Sequence, residues 1–228
     1  MPRTLMLPPP NAYHSPFRTT DDGYDWDGWK MVDHASCGSL AVCMVECIQS
    51  SAGMHVLPKG YLKALKKHCE RRGMLLIVDE AQTGVGRCGS LMASTDYEGV
   101  VPDILTLSKT LGNGIPLSAV VTSANIERVC AEKDYCFYTT HVNNPLPAAV
   151  GDKVLEIVAR DNLVQNAKEM GELLHAGLHR LKEKFGCIGD VRGRGLMAGI
   201  EIVAGRDTKE PEFELARKVG ERAYELGV

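Results

Sequence analysis

Four short apolar runs, each ending in a polar or charged residue, limit most strongly what this chain can fold into. Between the first two runs, the segment from Pro58 to Arg72 has the helical period, and Gly73 follows as a helix end. Strands that are apolar along their whole length are typical of parallel sheets, in which both faces are covered. We therefore predict an α/β fold with a largely parallel sheet, whose strands are residues 40–46, 74–80, 103–109 and 116–123.

The second half of the chain is predicted to be helical at first and mixed afterwards. Residues 146–185 have the helical period, with a break near Asp161 and Asn162. Residues 188–203 alternate around glycines, as in a pair of strands joined by a tight turn, and residues 212–227 have the pattern of an amphipathic helix. A helical bridge followed by new strands indicates a second structural unit.

This change of pattern predicts the domain organisation. We place a domain boundary near residue 150, so that residues 1–150 form one domain and residues 151–228 belong to the next. Residues 1–38 are rich in Pro, Gly, Asp and aromatic residues and lack a period, so we predict an irregular surface segment there. The chain stops where an α/β unit would continue into another strand, and we expect both ends to be cut.

Composition and charge argue against several classes of protein. With 228 residues, 44% of them hydrophobic and 24% charged, the chain is typical of a globular protein. A formal net charge of -3, with both signs mixed along the chain, argues against nucleic acid as a partner. We find no membrane-length apolar run and no signal-peptide core, so we expect a cytoplasmic protein without a membrane partner. The eight cysteines are scattered and lack zinc-site spacing, so we expect reduced thiols and no metal.

Three charged residues fall at the ends of two predicted strands: Asp79, Glu80 and Lys109. Ligands of parallel α/β sheets bind at the carboxyl ends of the strands. A carboxylate can stabilise a cationic ring nitrogen there, and a partly desolvated lysine can attack an aldehyde carbon. A pyridoxal cofactor needs these two groups. Taken one at a time, each residue would more often be a solvated charge at a strand end.

Four segments carry a resemblance to a known family: LLIVDEAQTGVGRCG, PDILTLSKTLGNGIPLSAVVTS, FYTTHVNNPLPAAV and IGDVRGRGLMAGIEIV. In order and spacing they resemble the class III aminotransferases, from about Asn11 to the last residue. The resemblance implies the fold type I of pyridoxal-phosphate-dependent transferases. On this reading the chain holds an incomplete large domain, with a mainly parallel sheet, and the start of the C-terminal α/β small domain.

The same resemblance implies roles for individual residues. Lys109 would form the Schiff base with pyridoxal 5'-phosphate and move the proton, while Asp79 would pair with the pyridine nitrogen of the cofactor. Gln82 would lie near the phenolic oxygen of the cofactor. Thr140 would reach the cofactor phosphate of a neighbouring subunit, which implies a homodimer or a dimer of dimers. Some relatives hold an alkali cation near this loop, but Asn144 stands where an aspartate is expected, so we predict no metal.

The resemblance also narrows the reaction. The sequence DEAQTGVGR, with Gln82, favours the 2,2-dialkylglycine decarboxylases within the family, which couple decarboxylation of a dialkylglycine to amino transfer onto pyruvate. The alternative is ordinary class III amino transfer, with an ω-amino acid or amine as donor and a keto acid as acceptor. Glu46 is followed by Cys47, where the family usually has proline.

A function of another class is a noncatalytic, truncated remnant. The Gly/Ser-rich phosphate loop and the carboxylate-binding arginine of the family are not visible in the sequence. We interpret Arg192 and Arg194 as structural residues of a strand turn. The glycines of GVGRCG imitate a dinucleotide-binding motif, but DEAQT separates them from the strand, and Asp103 begins the next strand instead of ending it. We therefore reject that function.

Overall fold

The computed structural model describes residues 4–14, 28–36, 38–96 and 99–228. The chain folds as an α/β structure, with a central sheet in its first half and a helical pair followed by a hairpin in its second half. The helices are α1 (Gly28–Ser36), α2 (Tyr61–Arg72), α3 (Ala124–Glu132), α4 (Pro145–Arg160), α5 (Leu163–Lys184) and α6 (Phe213–Glu225). The strands are β1 (Val42–Glu46), β2 (Ile48–Gln49), β3 (His55–Val56), β4 (Leu75–Asp79), β5 (Ile104–Leu107), β6 (Ala119–Thr122), β7 (Ile188–Arg194) and β8 (Met197–Ile202).

The central sheet has the strand order β1-β4-β5-β6. Strands β1, β4 and β5 are parallel, as predicted, but β6 is antiparallel to β5. A parallel pair needs a crossover connection, usually a helix, whereas β5 and β6 are joined by a short segment that contains only the 3-10 turn Lys109–Gly112. The sheet is therefore mainly parallel with one antiparallel edge.

Helix α2 covers one face of the central sheet. It ends at Gly73, which has a φ of 66° and donates its backbone N–H to Glu70. Leu62 and Leu65 of the helix pack in one core cluster with Leu76 and Val78 of β4. Burial of each such aliphatic side chain stabilises the fold by about 2 kcal/mol. This packing fixes the position of β4 relative to α2.

The opposite face of the sheet is uncovered in the part of the chain that the structure describes. Val42 is 43% exposed and Met44 is 58% exposed, and Leu75, which pairs with Val42, is 37% exposed. The prediction of strands covered on both faces is therefore wrong for this sheet. Side chains alternate between the faces of a strand, so this face also carries Glu46 and Asp79.

Helix α1 corrects the prediction of an irregular surface segment over residues 1–38. Its Trp29 is only 8% exposed and stacks edge-on against Tyr61 of α2, with ring centroids 5.5 Å apart. The helix buries a single large aromatic residue among polar neighbours, so its sequence shows no sustained apolar period. Residues 15–27 of the predicted segment lie outside the described residues.

The second half agrees with its predicted pattern. Helices α4 and α5 are separated at Asp161 and Asn162, where Asn162 has a φ of 51° and stops the first helix. Residue 150 lies inside α4, next to Gly151, which approaches Leu117 of the first half. The domain boundary near residue 150 stays a prediction. Within the described residues, no helix has the length and apolar character that crossing a membrane requires.

Candidate active site

Asp79 and Lys109 lie at the same edge of the central sheet. Asp79 is the last residue of β4, and Lys109 follows the end of β5. Asp79 pairs in register with Glu46 on one side and with Thr106 on the other. The carboxyl ends of three parallel strands therefore bring two carboxylates, a hydroxyl and an amine to one place, where ligands of such sheets bind.

Hydrogen bonds fix the carboxylate of Asp79. Its Oδ1 atom accepts the backbone N–H of Ala81 and the hydroxyl of Thr106, each at 2.9 Å. Within the residues that the structure describes, we find no hydrogen bond to Oδ2. Asp79 is thus held at one oxygen and has the other available for a cationic N–H donor, as a protonated pyridine ring requires.

The charges of Asp79 and Lys109 both act on the pKa of the Glu46 carboxyl. Burial raises the pKa of the Glu46 carboxyl, and the negative charge of Asp79 raises it further. A hydrogen bond from the backbone of Ser50 and the positive charge of Lys109 act in the opposite direction on the pKa of Glu46. Glu46 therefore interacts electrostatically with both the carboxylate and the amine of the proposed site.

The backbone of Lys109 has an uncommon conformation. Its φ is 44°, in the left-handed region that side-chain-bearing residues seldom adopt. Neighbouring contacts hold the turn: the backbone N–H of Leu111 donates to the carbonyl of Ser108 at 3.0 Å, and a Cβ on Gly112 would lie 3.1 Å from Leu117. Such strain persists only where the surroundings enforce it, and it is concentrated at functional sites.

Gln82 and Glu80 have different surroundings, although both follow β4. Gln82 is half-buried, and its Nε2 atom lies 3.5 Å from the hydroxyl of Ser51. Glu80 is 1% exposed and accepts hydrogen bonds from the backbone N–H groups of Ala93 and Ser94, both at 2.7 Å. Glu80 therefore stabilises the following loop from the interior, although it ends the same apolar run as Asp79.

Thr140 stands apart from the other candidates. It lies in an exposed loop with aromatic neighbours, of which Tyr138 is 82% exposed. Among the described residues, no hydrogen bond joins Thr140 to Asp79, Gln82 or Lys109. The structure therefore brings Asp79 and Lys109 to one sheet edge, with Gln82 three residues after Asp79. The roles of all four candidate residues stay predictions.

The GVGRCG segment serves packing onto the second half of the chain. A Cβ on Gly86 would lie 3.2 Å from Val164 of α5, and a Cβ on Gly89 would lie 3.0 Å from Lys168. Leu196, in the turn between β7 and β8, donates its backbone N–H to the carbonyl of Arg87 at 3.1 Å. The loop next to Asp79 is thus in direct contact with α5 and with the β7–β8 turn of the second half of the chain.

Comparison with known proteins decides the family. The family model for aminotransferase class III matches residues 1–228. The chain belongs to the class III aminotransferases. It is 53% identical to an uncharacterized aminotransferase of Schizosaccharomyces pombe, over 100% of this chain and 52% of the relative. It is 37% identical to a leucine/methionine racemase of Thermococcus litoralis, over 97% of this chain and 51% of the relative.

Solved structures agree with this family. An aminotransferase of Bacillus anthracis superposes with a TM-score of 0.81 at 33% identity, covering 90% of this chain and 48% of the neighbour. The taurine:2-oxoglutarate aminotransferase of Bifidobacterium kashiwanohense, in complex with PLP and glutamate, superposes with a TM-score of 0.76 at 27% identity, covering 80% of this chain and 41% of the neighbour. The chain spans about half the length of the curated relatives it matches.

The comparisons confirm the fold class and the cofactor. The structural neighbours are aminotransferases, and pyridoxal phosphate is the cofactor of this family. The geometry fits that cofactor, because Lys109 supplies an amine and Asp79 an anchored anionic acceptor at one sheet edge. Sequence reasoning missed Thr106, which holds Asp79, and Ser51, which contacts Gln82. Thr106 could have been found as the one hydroxyl inside an apolar strand next to the strand that ends in Asp79.

Proposed function

We propose that the intact protein is a pyridoxal-phosphate-dependent aminotransferase in which Lys109 binds the cofactor covalently and Asp79 binds its ring nitrogen. The observation that supports this most directly is the strained backbone of Lys109, at the sheet edge that also carries Glu46 and Asp79. Bound pyridoxal phosphate supplies an electron sink for bond cleavage at the α-carbon of an amino substrate.

The residues of this chain hold that cofactor and move the proton. Asp79 would accept the N–H of the protonated ring nitrogen, while Thr106 and the backbone of Ala81 keep its carboxylate in place through Oδ1. Gln82 would donate its amide N–H to the phenolic oxygen of the cofactor. The Nζ atom of Lys109 would bind the cofactor and, as a free amine, would carry a proton to or from the substrate carbon.

For the reaction itself, we propose decarboxylation-dependent transamination of a 2,2-dialkylglycine with pyruvate. The sequence around Gln82 supports this, through its resemblance to the dialkylglycine decarboxylases. Ordinary amino transfer from an amino acid or amine to a keto acid is the second candidate. It is supported by relatives such as the 5-aminovalerate aminotransferase of Pseudomonas aeruginosa, 37% identical over 189 residues.

One assay separates the two reactions. The full-length protein, loaded with pyridoxal phosphate, is incubated with 2-aminoisobutyrate and pyruvate, and carbon dioxide and alanine are measured together. Equal amounts of both products support the decarboxylase function. Alanine from ω-amino donors without carbon dioxide from 2-aminoisobutyrate supports ordinary amino transfer. Lys109→Ala is the control, and turnover that survives this substitution would exclude both functions.

Thr140 belongs to the proposed assembly of the intact protein. We propose a homodimer in which Thr140 of one subunit binds the cofactor phosphate of the other. The exposure of Thr140 and of the aromatic residues before it supports this, because aromatic side chains are enriched at subunit interfaces. A cytoplasmic location also stays a prediction.

A further inference from the structure

Two carboxylates oppose each other on the β7–β8 hairpin. Asp190 and Glu201 are direct register partners, and like charges in this arrangement destabilise an antiparallel pair. The guanidinium of Arg192 lies between them, with Nη1 at 3.1 Å from Asp190 and at 2.5 Å from Glu201. Its side chain is only 14% exposed. The acid pair therefore fixes the orientation of a largely buried arginine.

The same guanidinium reaches outside the hairpin. The Nε atom of Arg192 donates to the carbonyl oxygen of Gly53 at 2.6 Å. Gly53 has a φ of 115° and Met54 a φ of 59°, so two successive residues adopt positive φ values. A charge-assisted hydrogen bond from a buried guanidinium is among the stronger contacts available to hold such a turn. Only arginine can serve these three acceptors with one planar group.

The turn that Arg192 holds, residues 50–54, contacts the candidate active site at two places. The backbone N–H groups of Gly53 and Met54 both donate to the carbonyl of Ser50 at 3.1 Å, which closes the turn. The backbone of Ser50 acts on the Glu46 carboxyl, whose pKa it lowers against the effect of burial. The next residue, Ser51, has its hydroxyl 3.5 Å from the amide of Gln82. A shift of this turn therefore changes the surroundings of both Glu46 and Gln82.

We propose that Arg192 is a positioning residue of the cofactor site, which holds the 50–54 turn so that Ser50 and Ser51 meet Glu46 and Gln82. This inference rests on the proposed function, because it assumes that Gln82 and Lys109 bind pyridoxal phosphate. In this proposal Arg192 acts on the cofactor site through the 50–54 turn and not by direct contact with the cofactor or the substrate. It connects the β7–β8 hairpin to the 50–54 turn beside the site.

The first test compares Arg192→Met with a matched variant of the same hairpin region in the full-length protein. Arg206 also donates to backbone carbonyls, those of Ile188 and Phe185 at 3.1 and 3.0 Å. Within the described residues we find no hydrogen bond from Arg206 to the 50–54 turn. We expect both Arg192→Met and Arg206→Met to lower the unfolding temperature. Only Arg192→Met should raise the dissociation constant for pyridoxal phosphate, measured by absorbance titration, by about fivefold.

The second test is a double-mutant cycle between Arg192 and Ser51. If Arg192 acts through the turn, Arg192→Met has a smaller effect on the dissociation constant for pyridoxal phosphate when Ser51 is already alanine. Multiplicative effects of the two substitutions, or an unchanged dissociation constant in Arg192→Met, would overturn the proposal. Arg192→Lys keeps the charge but not the fork, so it should reproduce the weakened binding, and it replaces Arg192→Met in the cycle if that variant does not fold.

The outcome for the unmodified protein separates this inference from the function on which it rests. Borohydride should fix pyridoxal phosphate on Lys109, as seen by peptide mass spectrometry. If no fixed cofactor is found on Lys109, both proposals fail. If it is found and Arg192→Met binds pyridoxal phosphate as tightly as the unmodified protein, only the positioning role fails.

Discussion

Glu46 and Asp79 lie directly opposite each other at the carboxyl ends of the parallel strands β1 and β4. Two adjacent carboxylates repel, and burial together with Asp79 raises the pKa of the Glu46 carboxyl. The amine of Lys109 counteracts part of this repulsion. The pair therefore favours a cation at the sheet edge, whether an ammonium or the protonated ring of a cofactor.

Replacing Lys109 removes the amine that the proposed function requires. Lys109→Ala should lower amino transfer by at least about 100-fold, because both covalent binding and proton transfer are lost. Borohydride treatment followed by mass spectrometry should find no fixed cofactor on this variant. Lys133→Ala, at the exposed end of α3, is the matched control and should retain full activity. Equal loss in both variants would contradict the role of Lys109.

Replacing Asp79 removes the anionic acceptor without changing its shape. Asp79→Asn should lower the rate of amino transfer by about 100-fold, because a neutral amide does not stabilise a protonated ring nitrogen. Thr106→Val removes only one of the two hydrogen bonds to Oδ1, so we expect a loss of about fivefold. Steady-state kinetics on the full-length protein measure both. A larger loss in Thr106→Val than in Asp79→Asn would contradict this assignment.

Substitution of Glu46 and substitution of Glu201 should change the free energy of unfolding of the apo protein with opposite dependence on pH. Glu46 has a raised pKa, so its folded form binds a proton more readily than its unfolded form, and its ionisation destabilises the fold as pH rises through the ordinary glutamate pKa. Glu46→Gln should therefore gain more stability at pH 7 than at pH 4. Urea unfolding of both proteins at these pH values measures the difference.

Glu201 provides the contrast. Burial alone would raise the pKa of Glu201, but hydrogen bonds from His14 and Arg192 hold it below its ordinary value. Its stabilisation is present above the ordinary glutamate pKa and is lost as pH falls through the lowered value. Glu201→Gln should therefore cost more stability at pH 7 than at low pH. The same sign of pH dependence in both variants would refute this electrostatic description.

Mixed subunits test the placement of Thr140. Lys109→Ala and Thr140→Ala subunits are co-expressed with different tags, and the mixed dimers are compared with each parent. If Thr140 serves the partner's site, random mixing restores roughly a quarter of the sites, because each mixed dimer has one site with both residues. If Thr140 serves its own subunit, mixing restores none, and the co-expressed protein is no more active than its parents.

The backbone of Gly195 packs so closely against the backbone of Cys88 that a side chain at position 195 should destabilise the fold. This residue has a φ of 55°, and an added Cβ would lie 2.5 Å from the carbonyl carbon of Cys88. Gly195→Ala should lower the free energy of unfolding by about 2 to 3 kcal/mol. Gly220→Ala is the control, since open space surrounds Gly220 in the exposed helix α6. It should raise stability by about 0.5 to 1 kcal/mol, and equal effects would contradict the steric explanation.

The sequence predicts the strand ends well, because a buried apolar run followed by a charge has one common meaning in a parallel sheet. Asp79 and Lys109 follow directly from that pattern. The direction of β6 does not, because it depends on the length and shape of a connection and not on apolar content. Helix α1 was missed because a single buried tryptophan, Trp29, leaves no period to detect.

The site is predictable in part, for a related reason. A carboxylate at a strand end is visible in the sequence, but its direction is not, so Asp79 and the buried Glu80 look alike. Their separate roles depend on the alternation of faces at the end of β4 and on partners far along the chain, such as Ser94. The contact from Arg192 to Gly53 joins residues far apart in sequence and has no local pattern at all.

The uncovered face of the central sheet makes folding and cofactor binding interdependent. Val42 and Met44 lie on the same face of β1 as Glu46, and Leu75 lies on the same face of β4 as Asp79. Any surface that shields these apolar side chains from water must end beside the two carboxylates. If the cofactor binds more tightly to the state in which this face is covered, its binding also favours that state by mass action. A titration with the cofactor therefore also reports how much of the protein has this face covered.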